Sequence, residues 1–506
     1  MVLLTQRKQL GLKLEDVEGT AETITVSDLV TVRDPTPSIN LNNVRRPVQR
    51  GSFSKVTSGT GIQDGGVTYD QEFAGPADGL VTTDSPISAS LQTTGHRRFD
   101  LYAVEVATFT GPRVVVGDLL VSDTTASTIR VAASMRKTNF DAGALHSDIL
   151  FFEQVSGPGI DATDTTLTAA NTSLPVATVS HGGGTPSLGL SSQVATRAGT
   201  GWVPTSQQTQ TITISGTAGG PFVVGETIFQ SIDNASPASA LQIAFGRIVT
   251  VTATSVEFTP YLGNGVGFLS SGLGDLTGFT SGATATVDSD ASSLQTPSVT
   301  AKTFEDGIAK TFAGARGSST IELPTGDFPL LKVALQASYD SVADEANLDA
   351  GGAAQAIVPT FLGVEFRVDR TWQPCTSSIT IDMAQNLVRR TCATNASGLE
   401  GFVITDRTPT MTMDPEAVQE VIFAAYGNAK VATPFPAQLR FGNHSSGTGV
   451  DAWLLSFDQL QYESLDSGDR DGIQTHDSTL QINSYTTLNE AEMSILNYSR
   501  TVVEAL

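Results

Sequence analysis

Apolar and polar residues alternate along this chain in short runs separated by turn formers, most clearly in the 311–339 segment TFAGARGSSTIELPTGDFPLLKVALQASY. SSTIEL and LLKVALQAS carry a two-residue period, and PTGDFP between them supplies Pro324, Gly326, Asp327 and Pro329 where the chain must reverse. That spacing predicts a β-hairpin. Similar strand candidates recur throughout: ETITVSDL and GVTYDQEFA early, TQTITIS and FGRIVTVTATSVEFTPYL in the middle, and GVEFRVD, SSITIDM, GFVITD, DAWLLSFDQLQYE and STLQINSY late. One run changes period. In PEAVQEVIFAAYGN the residues Val418, Val421, Ile422 and Ala425 share a helical face, Asp414 is placed to cap, and Pro415 takes the first helical position. Gly427 or Asn428 then ends a short helix packed on a sheet.

At 506 residues the chain exceeds the size at which one core stops growing, so it is expected to form two or more domains. Three intervals are expected. Residues 1–100 and 297–506 share the strand-rich pattern, while 101–296 reads as a β-rich insertion. Within it, 161–199 is dominated by Thr, Ser, Ala and Gly, the composition of a loop or linker. The part from FVVGETIF to FTSGATATVDS is able to close on itself as a compact β module.

Composition sharpens the fold class. Only 16% of residues are charged, which favours extended strands over long solvent-exposed helices and predicts a mainly β protein. The net charge is -23, and without a long basic run the chain is not expected to bind nucleic acid tightly. Arg45, Arg46 and Arg50, with Lys55, concentrate positive charge in LNNVRRPVQRGSFSKV. They read either as a solvated basic turn or as forks for carboxylates of a neighbouring subunit. Cys375 and Cys392 are too few for a disulfide framework and are expected to be reduced. No run of 18 apolar residues and no cleavable leader pattern occurs, so no stable membrane association and synthesis in the cytoplasm are expected.

Metalloprotease, phosphate-loop and nucleophile-elbow motifs are absent, and the expectation is a protein that is not an enzyme and uses no cofactor or metal. His181 and the three glycines after it spell an esterase oxyanion loop, but with no nucleophile elbow they read as a glycine turn. In DSGDRDG, Ser467, Asp469 and Asp471 fall at positions one, three and five of a calcium loop. Ser478, however, stands where the bidentate Glu belongs, so a charged hairpin turn is expected instead.

In its serial order of segments the chain resembles the major tail tube proteins of long-tailed bacterial or archaeal viruses. The similarity runs through LEDVEGTAETITVSDLVTVRDPTPSINLNNVRRPVQRGSFSKVTSGTG and VTYDQEFAGP. It resumes at KTFAGARGSSTIELPTGDFPLLKVALQASYD and continues through SSITIDM, VITDRTPTMTMDPE and FDQLQYESLDSGDRDGIQTHDSTLQI, covering about half the chain. The resemblance implies a β-sandwich or barrel-like tube core made from 1–100 and 297–506, with a short packed helix and a large β-rich insertion at the periphery. It also implies self-association into hexameric rings stacked as a tube, with Arg45, Arg46 and Arg50 at intersubunit contacts. The expected partners are tail terminator and distal tail proteins, together with transient passage of double-stranded DNA along an acidic or neutral bore. The expected location is the virion tail, assembled in the host cytoplasm. The competing expectation is a β-rich receptor- or carbohydrate-binding virion structural protein.

Overall fold

The alternating runs become long antiparallel strands. The computed structural model describes residues 8–15, 18–44, 59–74, 87–100, 102–106, 108–110, 114–123, 126, 128–136, 148–156, 166–169, 178–180, 200–204, 210–224, 227–232, 242–260, 276–278, 281–291, 298–348, 358–369, 372–393, 398–442, 451–483 and 493–499. They form a mainly β, multi-sheet protein. Helix among them is limited to Ser88–Thr93, Ala425–Val431 and the single turn Val26–Asp28. The chain divides into two compact units, one of Met1–Pro204 with Ser298–Leu506, the other of Thr205–Pro297.

In the larger unit the predicted hairpin is present. Ile308–Pro324 pairs with Leu330–Asp344 from Ile308↔Asp344 to Glu322↔Leu330, and the turn residues 325–329 lie between them. Leu330–Asp344 also pairs with Gly59–Glu72, which pairs with Arg33–Val44. On the other side, Ile308–Pro324 is followed by Ser378–Asp382, Thr410–Met413, Ile473–Asn483 and Asp451–Arg470. The last two strands meet at Asp471 and Gly472, with φ of 52° and 86°, the left-handed pair that a tight two-residue hairpin requires. This is the charged hairpin turn expected from DSGDRDG.

The period of two places one face of each strand in the core. Leu331, Ile321, Ile381, Met411, Leu480 and Tyr462 form one inward row across neighbouring strands. Phe73 stands edge-on to Trp453 at 5.1 Å, and Phe423 stacks on Trp372 at 4.3 Å. Burying each such ring stabilises the fold by about 2–3 kcal/mol.

The helix expected over 415–428 is a correction. Asp414 does not cap it, because its carboxylate accepts hydrogen bonds from Thr376 Oγ1, the Ser377 hydroxyl and the Ser377 and Ser378 amides. Burial opposes ionisation there, yet those donors outweigh it and hold the carboxyl below its usual range. The next backbone groups are taken by neighbouring segments: Glu416 N donates to Cys375 O, Ala417 N to Gln474 O, and His476 N to Pro415 O. Helix forms only at Ala425–Val431, so Gly427 lies inside it, and the end is Ala432 with φ of 53°. Val421 and Ile422, expected on the packed face, are 87% and 58% exposed. Sheet-edge hydrogen bonding overrode helical periodicity.

Residues 102–180 contribute a seven-stranded sheet in the order Tyr102–Val106, Asp148–Ser156, Thr128–Arg136, Leu119–Ser122, Thr166–Ala169, Thr178–Ser180, Thr108–Thr110. Thr200–Pro204 instead pairs with Met493–Ser499 and His96–Asp100 in the large sheet. In the smaller unit, Gln210–Ala218, Ser255–Pro260, Gln242–Val251, Thr227–Ile232, Leu276–Gly278 and Thr284–Ala291 pair in that order as a closed barrel. Among the described residues its core is apolar, including Ile212, Ile214, Ile228, Ile248 and Phe258.

A candidate contact face on the large sheet

Opposite the apolar face, the same strands carry a polar one. Cross-strand register sets Arg33, Asp70, Lys332, Thr320, Asp382, Thr410, Gln481 and Gln461 in a single row across eight strands. Two residues along six of these strands, and three along the last past its bulge, a second row follows: Glu72, Leu330, Glu322, Thr380, Thr412, Thr479 and Ser464. At ~4.8 Å between strands the face is roughly 34 Å wide. None of these side chains is aromatic, and all are at least partly exposed.

Charge is arranged unevenly across it. At the Arg33 end the cations are matched, Arg33 bonding Glu72 and Lys332 bonding Glu322 at 2.7 Å. At the other end Asp466 lies directly opposite Asp477, a like-charge pair that disfavours the ladder slightly. A shallow depression of about 290 Å³ at the first end is lined by Arg33, Asp70, Thr320 and Lys332. Another of about 340 Å³ at the second is lined by Asp414, Asp466, Asp477, Thr412 and Thr479. Chemically, such a face offers hydroxyls and carboxylates to water and to passing solutes, and no enclosed cleft.

A bulge at Gly314-Ala315-Arg316, within the first strand of the hairpin, is held by acids from near the N-terminus. The ladder shifts register between Ala313 and Arg316, with Gly314 at φ 65°. Glu15 accepts from the Gly314 amide at 2.8 Å, Thr300 Oγ1 at 3.0 Å, Ser298 Oγ at 2.6 Å and the Gly19 amide at 2.8 Å. Arg316, 1% exposed, donates through Nη1 to Glu18 Oε1 at 2.6 Å and to Phe402 O at 2.5 Å. The hairpin is legible in the local sequence, whereas the clamp is not, because its partners lie almost 300 positions away.

Arg45, Arg46 and Arg50 lie outside the described residues, as do Lys55 and His181; the strand leading to the arginines is described as far as Val44. Leu41 and Val44 on that strand are each 58% exposed. His96 and His476 are buried packing groups rather than part of the polar face. Burial, and then the Arg407 charge, push the His96 imidazole down to about 3, and burial also lowers His476. Cys375 and Cys392 are free thiols. Among the described residues no group of His, Cys, Asp and Glu is arranged to hold a metal ion, and no helix is long and apolar enough to cross a membrane. No known family model and no curated protein matches this sequence.

Proposed function

We propose that the chain is a non-catalytic structural protein of a virion that works through extended β surfaces. The organisation into a large multi-sheet unit and a separately cored barrel is the observation that carries this reading, since modules with their own cores suit recognition tasks independent of the scaffold. In that form it is a β-rich receptor- or carbohydrate-binding component, and the multi-unit architecture favours this form more directly than any other.

A second, narrower reading is a tail-tube subunit, forming stacked hexameric rings that conduct double-stranded DNA. The specific observation in its favour is the broad polar face, whose rows of hydroxyls and carboxylates offer a phosphate backbone little to hold. The resemblance in segment order supports it as well. On this reading tail terminator and distal tail proteins bind the ends of the stack.

Electron microscopy of the purified protein at assembly concentrations separates the two. Rings stacked about a lumen are expected for the tube subunit. Monodisperse particles that instead bind host envelope glycans, with a barrel-deleted variant failing to do so, are expected for the recognition protein. Turnover of an extracted envelope polymer would sink both.

A further inference from the structure

The loop that failed to become helix carries an apolar surface at one end of the large sheet. Phe423 anchors it in the core, stacked on Trp372, and the Gln419 carbonyl accepts from the amides of Ile422 and Phe423. The turn therefore holds Val421 and Ile422 outward without freedom to bury them. Beside it, Tyr426 Oη shares a hydrogen bond with Ser467 Oγ at 2.9 Å, and Ile473 at the hairpin end is 49% exposed. The surroundings are acidic. Glu420 in the turn and Asp469 and Asp471 at the hairpin end are exposed, and the nearby Arg470 is already paired with Asp414 and Glu416.

The complementary chemistry stands elsewhere in the same chain. Exposed Leu41 and Val44 lead directly into Arg45, Arg46 and Arg50, in the sequence LNNVRRPVQR. Register shows where the two surfaces lie. From the row shared by Arg33 and Gln461, the Arg33–Val44 strand runs to Val44 in one direction, while Asp451–Arg470 runs to Arg470 in the other. The two ends are separated by roughly 60 Å along the strands at ~3.3 Å per residue. One molecule cannot readily bring them together, but two copies set head to tail can.

We propose that residues 41–50 of one copy dock on the Val421–Ile422 turn of the next, apolar side chains against the turn and arginines against the surrounding carboxylates. The contact is heterologous, so it leaves a free donor at one end and a free acceptor at the other. It rests on the self-association reading and gives that reading its axial joint.

The test titrates a fluorescent synthetic peptide LNNVRRPVQR onto the intact protein and onto a Val421→Asn/Ile422→Asn variant, followed by anisotropy at 50 and 500 mM salt. Both replaced side chains are exposed, so an unchanged melting temperature verifies the fold of the variant. Saturable binding is expected, weakened at least tenfold by the higher salt and at least tenfold by the double substitution. No binding to the intact protein, or equal binding to the variant, overturns the proposal. Microscopy keeps the two readings apart. If the variant stacks as the unsubstituted protein does, this joint is wrong while the tube stands. If the unsubstituted protein never associates end to end, the tube reading fails, and the peptide titration alone decides whether the site accepts this segment.

Discussion

The barrel of 205–297 and the larger unit are both antiparallel β, yet they are held together in different ways. Among the described residues ten apolar side chains between Ile212 and Ala285 form the barrel core, all from one continuous stretch. The larger unit pairs Lys8–Leu14 with Val299–Glu305 and buries Arg316, Arg367, Arg407 and Arg440 along with its aromatics. A short local circuit has few ways to mispair. A sheet whose strands arrive from distant sequence has many, and a one-residue slip would turn every apolar side chain outward. The Glu15 and Glu18 clamp on a bulge suits a register marker, because it can close in only one alignment.

The sharpest way to break this contrast is to empty each core separately. Trp453→Ala is expected to destabilise the larger unit by about 4 kcal/mol and Phe258→Ala the barrel by about 3–4 kcal/mol. Calorimetry should show each substitution lowering one transition and leaving the other in place; a joint shift would mean that the units unfold together. Next in size, Glu18→Ala leaves the buried Arg316 guanidinium without its carboxylate and should cost about 3 kcal/mol in denaturant unfolding of the larger unit alone. A loss under about 1 kcal/mol would show that the pair does not help define the sheet.

The smallest effect concerns acid. His96 has a folded pKa near 3, below its unfolded value of about 6.5, so the unfolded chain binds the proton first as pH falls. Stability is therefore full above pH 6.5 and declines from there towards pH 3, by about 2 kcal/mol at pH 5. Burial of His476 acts in the same direction. Chemical unfolding at pH 7.5 and pH 5 should show the decline in the larger unit, and His96→Gln should flatten most of it. The barrel, to which neither histidine belongs, should keep its midpoint.

Much of the β architecture was legible because its cues are local. Pro324, Gly326, Asp327 and Pro329 announce a reversal whatever the strands pair with, and Asp471-Gly472 does the same. The helix misreading has the opposite origin. Asp414, Pro415 and Glu416 have the letters of a helix start, but their partners, Ser377, Cys375 and Thr475, belong to segments distant in sequence. The contact face was illegible for a related reason. Thr380, Thr412 and Thr479 are unremarkable alone and form a row only after the register of three strands is known.

The distance between Glu15 and its partners also has a consequence for synthesis on the ribosome. Ser298, Thr300 and Gly314 follow it by 283, 285 and 299 positions. At ~5–20 residues per second the N-terminal strand waits roughly 15–60 s for the residues that hold it. The whole 205–297 stretch emerges within that interval and can close before the strand meets its partner Val299–Glu305, with only the short Leu29–Val30 pairing available earlier. Until then, Leu10 and Leu12, buried in the finished sheet, remain exposed on the nascent chain. That window is when a chaperone would find this protein, and slower translation would lengthen it.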